Sequence, residues 1–261
     1  MNEIRRQSHP LCHKDIILLG STGSIGLSTL NILRKYRNRY SLKALSCHEN
    51  IPALMAQIRE FRPNAVAITK DTPETRHIWK SLLNEQKISA LPSLYWGKEG
   101  LSALIREIKA NLVLNGIAGT SGLLPSIAAI ESGKDLALAN KETIVSAGPL
   151  ILKKARENRC RILPVDSEHA ALSELIRRVN KEDITEIIIT ASGGAFRDYS
   201  LTEIESVKLE DALKHPTWQM GTKITIDSAT MANKGLEIIE AMHLFGIDIK
   251  HIKVLIHPQS H

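Results

Sequence analysis

Apolar residues arrive along the chain in short blocks separated by longer amphipathic ones. Residues 14–19, KDIILL, form the first block, and its length and isoleucine content read as a buried strand. A polar turn, GSTGSIG, follows, and then LSTLNILRKY (27–36) repeats its apolar residues at helical spacing. Further apolar runs recur at YSLKALS (40–46), NAVAIT (64–69), ISALPS (88–93), NLVLNGI (111–117) and KDLALAN (134–140). Helix-like segments such as IPALMAQIREF (51–61) and GLSALIREIKA (100–110) lie between them. Alternation of this kind predicts a parallel α/β sheet with helices on its faces.

The pattern changes near Pro149-Leu150, which places a first domain at 1–150 and a second at 151–261. The second part predicts a strand in CRILPVD, a helix from about Glu168 to Val179 and a strand in ITEIIITAS. A polar, irregular stretch from Gly193 to Gly221 carries SGGAFRD and HPTWQMG. A strand KITID, a helix ATMANKGLEIIEAMHLF and a strand IKVLIHP complete the reading. A buried strand with nothing to cover it is a poor place to end a domain, so the sequence is expected to be part of a longer chain.

Composition narrows the function classes. Apolar residues make up 43 % of 261, enough for a sizeable core, and no run of about 18 apolar residues suggests a membrane span. The basic N-terminus, MNEIRRQSHPLCHK, lacks the apolar stretch of a signal peptide. Cys12, Cys47 and Cys160 are odd in number and widely spaced, as free thiols of a reducing, cytoplasmic compartment would be. The net charge of +6 suits an anionic small ligand such as a phosphate or nucleotide. Nucleic acid is disfavoured, because there is no long Lys/Arg run and few aromatic residues offer stacking surfaces.

Gly20, Gly23 and Gly26 fall between the first strand and the first helix. Glycines there let the backbone approach a pyrophosphate, and the helix N-terminus presents free N–H groups to the anion. The position of the loop, more than its glycines, indicates a Rossmann-like nucleotide-binding domain. An acid about 20 residues past such a loop holds a ribose 2′-hydroxyl. Glu49 lies near that place and favours NADH, while Ser46, His48 and Asn50 beside it could donate to the 2′-phosphate of NADPH. Spacing alone leaves the two open.

PVDSEH (164–169) poses a sharper problem, since Asp166 and Glu168 repel one another if both are ionised. Either they cap the helix that follows, or they hold a divalent cation, which carboxylate oxygens suit. Glu237, one turn beyond Asn233, is the candidate third acid. DSATMANKG offers Ser228, Asn233 and Lys234 at a helix start, and TASGG ends a strand with Ser192. Lys141 follows a strand in ANKE, and His215 and Trp218 share a glycine-flanked polar stretch that suits a mobile lid. Taken singly, each of these also reads as an ordinary turn, cap or core residue.

In order, GSTGSIG, LANKE, LPVDSEH, SGGAFR, HPTWQMG, DSATMANKGLE and LIHPQS resemble the 1-deoxy-D-xylulose 5-phosphate reductoisomerases over nearly the whole chain. The resemblance implies a homodimeric enzyme that uses NADPH and a divalent cation (Mg²⁺, Mn²⁺ or Co²⁺). Its substrate is a small phosphorylated sugar, which is rearranged and reduced to 2-C-methyl-D-erythritol 4-phosphate for isoprenoid precursors. By motif, Asp166, Glu168 and Glu237 are the metal ligands, and Ser192, Ser228, Asn233 and Lys234 hold the substrate phosphate. Ser167 and Lys141 contact substrate hydroxyls, His169 is an active-site position, and His215 and Trp218 belong to a closing flap. Gly20, Ser21, Thr22, Gly23, Ser24 and Ile25 carry the cofactor pyrophosphate, with His48, Glu49 and Asn50 near the 2′-phosphate. Asn140, Lys141, Glu142 and Met220 line the cofactor elsewhere. Many members carry a basic residue at the position of Glu49, and members continue past HPQS into a C-terminal helical domain absent here. Two rival classes are another two-domain NADP-dependent dehydrogenase and a non-catalytic nucleotide-binding remnant.

Overall fold

The computed structural model describes residues 13–86, 91–214 and 221–257. His215, Trp218 and Met220 therefore lie outside the described residues. In chain order the regular elements are β1 (Lys14–Leu19), α1 (Ser24–Lys35), β2 (Tyr40–Cys47), α2 (Ile51–Phe61), β3 (Ala65–Ile68) and α3 (Pro73–Gln86). They continue with β4 (Ser93–Trp96), α4 (Gly97–Glu107), β5 (Leu112–Asn115), α5 (Leu123–Glu131), β6 (Asp135–Leu138) and α6 (Lys141–Glu157). Next come β7 (Ile162–Pro164), α7 (Ser167–Ile176), β8 (Ile187–Ala191), α8 (Leu201–Ile204) and α9 (Leu209–Ala212). The last are α10 (Thr222–Ala229), α11 (Ala232–Phe245) and β9 (Ile252–Ile256).

Two compact units emerge, one of Met1–Gly116 with Ala128–Leu136 and one of Ile117–Ile127 with Ala137–His261. The position read from sequence as a domain boundary, Pro149-Leu150, falls inside α6, which kinks at Ala147 just before the proline. In the sheet order β4-β3-β2-β1-β5-β6-β7, the chain leaves the first unit midway along β6. The pairs β1–β2, β1–β5, β2–β3 and β3–β4 are all parallel. The parallel, Rossmann-like α/β class read from sequence is thus observed.

In the first unit the strands are apolar on both faces, as helix-covered parallel strands must be. Leu18, Leu45, Val66 and Ile68 pack with Leu30 of α1 and with Leu54, Met55 and Ile58 of α2. In the second unit β8 pairs in parallel with β9, and its alternation of buried and exposed residues marks a sheet with one covered face. Ile187 and Ile189 pack there against Ala241 of α11 and Leu172 of α7. Among the described residues no helix is long and apolar enough to cross a membrane.

Three sequence readings need correction. KITID is not a strand: Thr222–Ala229 is the helix α10. Its consecutive β-branched residues Ile224, Thr225 and Ile226 carry strand propensity, but Thr225 donates both its backbone N–H and its hydroxyl to the Gly221 carbonyl, closing a helical turn. The helix read through 229–245 breaks at Met231, which adopts a left-handed backbone (φ 63°) before α11 begins. Of the strand read at ISALPS, residues 88–90 lie outside the described residues, and the described strand β4 begins at Ser93, directly after Pro92, which cannot donate to a ladder. The stretch 193–221 also holds two one-turn helices, α8 and α9.

Cys47, at the end of β2, reports on this packing. Burial, with the charge of Glu49 nearby, pushes its thiol up to about 12. Iodoacetamide at pH 8 is expected to label partly exposed Cys160 at least about tenfold faster than Cys47, read by peptide mass mapping. Equal rates would mean that the edge of β2 opens.

Candidate functional site

The glycine loop lies in the first unit. Gly20 has φ 72°, a left-handed conformation that favours glycine. A Cβ at Gly26 would fall 2.4 Å from the Gly20 carbonyl oxygen, so only glycine lets α1 start this close to β1. Side chains distant in sequence pin the loop. The Ser21 hydroxyl donates to Gln57 Oε1 (2.6 Å), and Gln57 Nε2 donates back to the Ser21 carbonyl (3.0 Å). Ser46 Oγ accepts from the Gly20 N–H and the Ser46 carbonyl accepts from the Ser21 N–H. Ser21 is therefore turned inward, while Gly23, Ser24 and Ile25 are exposed and Thr22 half-buried at the helix N-terminus. That arrangement leaves the first-turn N–H groups facing outward, where an anion can meet them. Sequence reasoning missed Gln57, whose only signal is a polar residue on the buried face of α2.

At the neighbouring edge, His48 Nδ1 lies 2.9 Å from Thr69 Oγ1, and Glu49 pairs with Lys70. Asn50 caps α2, accepting from the Ala53 N–H at 3.2 Å.

The second unit gathers the acids. Asp166 occupies the N-cap position of α7 but makes no side-chain cap bond, so the capping alternative does not hold for it. One carboxylate oxygen from each of Asp166, Glu168 and Glu237 lies within 4.8 Å of the others. Three carboxylates this close require positive charge, and two lysines supply it. The Lys141 ammonium sits 2.5 Å from Asp166 Oδ2 and 3.1 Å from Glu237 Oε1. Lys234 pairs with Glu168 Oε1 at 2.9 Å and with Glu237 Oε2, and donates to the Thr190 carbonyl at 2.7 Å. Burial alone would lower the Lys141 pKa, but the charges of Asp166 and Glu237 outweigh it and hold the ammonium above its usual range. Burial likewise pushes Glu168 up, and bonds from Ser167 and Lys234 bring it below the ordinary carboxylate range.

The supporting contacts come from several elements. Asn233, at the start of α11, accepts from Lys141 (2.9 Å) and donates to Glu237 (2.5 Å). Ser167 Oγ donates to Glu168 Oε2 at 2.6 Å. Asn140 caps α6 through the Thr143 N–H and straps the Ile117 and Gly119 carbonyls, a scaffold role that places Lys141. Glu142 pairs with Lys223 of α10 at 2.8 Å. A Cβ at Gly148 would strike the His243 ring at 2.6 Å, so glycine there lets α6 and α11 approach closely enough for Lys141 to reach Glu237.

The candidate phosphate residues are brought partly together. Gly194 lies against the Ser228 carbonyl, 1.9 Å from where a Cβ would stand, which draws the Ser192-Gly193-Gly194 turn onto the end of α10. Lys234, through the Thr190 carbonyl, ties the start of α11 to the same strand end. The Lys234 and Asn233 side chains nevertheless turn toward the carboxylates.

His169 is fully buried. Its Nε2 lies 2.9 Å from the Glu237 carbonyl, so the ring N–H donates there, and Nδ1 faces Glu240 Oε2 at 3.5 Å. Glu240 was not foreseen, although it lies one turn after Glu237 on the same helix face. Burial, then the charge of Asp166, pushes its carboxyl up to about 8. Asp166, His169 and Glu240 form a second compact grouping. Glu240 is sealed and holds its proton at neutral pH, so it is a poor cation ligand. Glu168 and Asp166, at 25 % and 13 % side-chain exposure, remain reachable from solvent. The set Asp166, Glu168 and Glu237 therefore fits a hard divalent cation better, with oxygen donors and a net charge that Mg²⁺ or a similar ion would balance.

Removing Lys234 tests this electrostatic arrangement. Lys234→Met in chelator should lose about 3 kcal/mol or more of unfolding free energy in urea, since it strands buried carboxylates. With saturating Mg²⁺, which binds the native state, much of that loss should return. An equal loss in both conditions would contradict a shared acid–cation site.

Comparison with known proteins bears on the whole arrangement. The family model for 1-deoxy-D-xylulose 5-phosphate reductoisomerase matches residues 16–148, and the model for the C-terminal domain of that enzyme matches 162–245. The Synechococcus sp. (strain JA-2-3B'a(2-13)) reductoisomerase is 50 % identical over 247 residues, covering 94 % of this chain and 62 % of its own length. That of Pelotomaculum thermopropionicum is 46 % identical over 250 residues, covering 95 % and 62 %. A crystal structure of DOX-P reductoisomerase with NADPH, fosmidomycin and magnesium superposes with a TM-score of 0.83 at 37 % identity, over 94 % of this chain and 61 % of that one. The Zymomonas mobilis enzyme with NADPH also gives 0.83, at 39 % identity over 95 % and 62 %. This chain thus spans about 62 % of the length of the curated relatives it matches. With both family models matched in order across most of its length, the chain belongs to the 1-deoxy-D-xylulose 5-phosphate reductoisomerase family.

Proposed function

We propose that the protein of which this chain forms part converts 1-deoxy-D-xylulose 5-phosphate to 2-C-methyl-D-erythritol 4-phosphate, with NADPH as reductant and a divalent cation, Mg²⁺ or Mn²⁺. The observation that carries the proposal is the cluster of Asp166, Glu168 and Glu237 with two buried ammonium groups among them. A nucleotide-type loop in the other unit and relatives solved with NADPH and magnesium support the cofactor reading. The functional division proposed is a cofactor-binding part in 1–150 and a catalytic part in 151–261. A homodimer is the proposed assembly, and the exposed apolar residues Ile188, Leu255 and Ile256 of the small sheet suit burial against further protein.

The proposed roles rest on the family's motifs, supported by the geometry of the acid cluster. Asp166, Glu168 and Glu237 would hold the cation, which supplies Lewis-acid polarisation of substrate oxygens. Once a divalent charge satisfies the carboxylates, Lys141 and Lys234 need no longer neutralise them. Lys141 then serves to orient substrate hydroxyls together with Ser167. Lys234 would then be free to hold the phosphate, with Ser192, Ser228 and Asn233 as its companions. Phosphate contacts remote from the reacting carbons supply binding energy and fix orientation. His169, buried against the Glu237 carbonyl, keeps α7 and α11 in register and so holds the three acids together.

Glu168→Gln tests these assignments in a chain that turns over. The variant should lose turnover by at least about a hundredfold in NADPH oxidation with 1-deoxy-D-xylulose 5-phosphate and Mn²⁺. Its affinity for NADPH, from fluorescence titration, should stay close to that of the parent. Equal losses in both would sink the assignment of Glu168 to the cation.

A further inference from the structure

The edge of the sheet where β2 and β3 end carries charges that the acid cluster does not explain. In a dinucleotide-binding fold, the end of the second strand lies beside the adenosine ribose, and an acid there favours a 2′-hydroxyl over a 2′-phosphate. Glu49 occupies that place, and by itself it would repel NADPH. It is not by itself. Lys70, two residues beyond β3, forms an ion pair with the Glu49 carboxylate. The backbone prepares this meeting. β2 and β3 run in parallel register, with Cys47 opposite Ile68. The ladder extends past both strand ends, because Thr69 N–H donates to the Cys47 carbonyl and Lys70 N–H donates to the His48 carbonyl at 2.9 Å. The Lys70 carbonyl in turn accepts from Thr75 Oγ1 at 2.8 Å. The lysine backbone is thus fixed from both sides, while its side chain is 40 % exposed and that of Glu49 55 %.

Other groups on the edge are committed or complementary. Arg76 is bound by both its Nε and Nη2 to Asp71 and lies over the Trp96 ring. His48 is oriented by Thr69 and brings a second nitrogen-bearing side chain to the same edge. The ammonium of Lys70 holds the Glu49 carboxyl below its usual range, so both partners stay charged at neutral pH. A tethered, exposed ammonium beside the ribose position is what a 2′-phosphate requires.

We infer that Lys70 determines the choice of NADPH over NADH, by binding the 2′-phosphate and by neutralising Glu49, which would otherwise exclude it. The inference deepens the proposed function and rests on its cofactor reading. Lys70 touches neither the reacting carbons nor the acid cluster, and its effect is confined to cofactor discrimination.

The test is equilibrium titration of the 261-residue chain with NADPH and separately with NADH, without substrate. The parent is expected to bind NADPH more tightly. Lys70→Met should weaken NADPH by about tenfold or more while leaving NADH within about twofold, because the lost contact and the exposed Glu49 charge both act on the 2′-phosphate. Glu49→Gln should leave NADPH binding equal or tighter, and Glu49→Gln added to Lys70→Met should recover part of the loss. Equal weakening of both cofactors by Lys70→Met, or no effect on NADPH, would overturn the role of Lys70 while leaving the cofactor reading intact. A parent chain that binds neither cofactor overturns that reading and the inference with it.

Discussion

Three carboxylates cannot share a buried pocket without compensating positive charge, and the second unit is arranged around that requirement. Asp166 and Glu168 come from the start of α7, Glu237 from α11, and the compensating ammonium groups from the starts of α6 and α11. Each lysine bridges two acids, so neither can leave unless another cation enters. A divalent ion is the natural replacement, because it restores the same charge with one compact centre. On the proposed function, such an exchange would free two long, donor-rich side chains next to the ion. On the same reading, one set of residues would thereby serve folding in one state and substrate recognition in the other.

Pre-organisation in the second unit depends on groups that never reach the surface. The close approach of α6 to α11 at Gly148 sets the reach of Lys141. His169 ties α7 to the α11 backbone, and buried Glu240 packs against its Nδ1 with a carboxyl that burial keeps protonated. In the first unit the same logic is applied to backbone instead of charge. The Gln57 amide and the Ser46 main and side chains hold the glycine loop open, so little ordering remains to be done when an anion binds.

Much of this was legible in the sequence where a local pattern carries the information. The β1 run, the glycine loop and the α1 periodicity are fixed by neighbours in the chain; the β1 bounds were read as observed, while α1 begins three residues earlier than read, at Ser24 inside the glycine loop. The candidate metal set was legible because PVDSEH and NKGLE are dense in groups that rarely sit together without a reason. Tertiary contacts were not legible. KITID reads as a strand by propensity, yet a turn closed on Gly221 makes it helix. Gln57 acts on Ser21 across 36 residues, Lys70 on Glu49 across 21, and Glu240 on a histidine in another helix. No short-range rule connects such pairs. The capping alternative for Asp166 was likewise undecidable until its side chain was seen to make no cap bond.

The central claim, that Asp166, Glu168 and Glu237 form one cation site, is tested most directly by calorimetric titration of Mn²⁺ into the 261-residue chain, compared with Asp166→Asn. The account predicts one ion per chain, with affinity reduced by at least about tenfold in the variant, since a coordinating charge is lost. An unchanged isotherm in Asp166→Asn, or no binding by the parent chain, would contradict it.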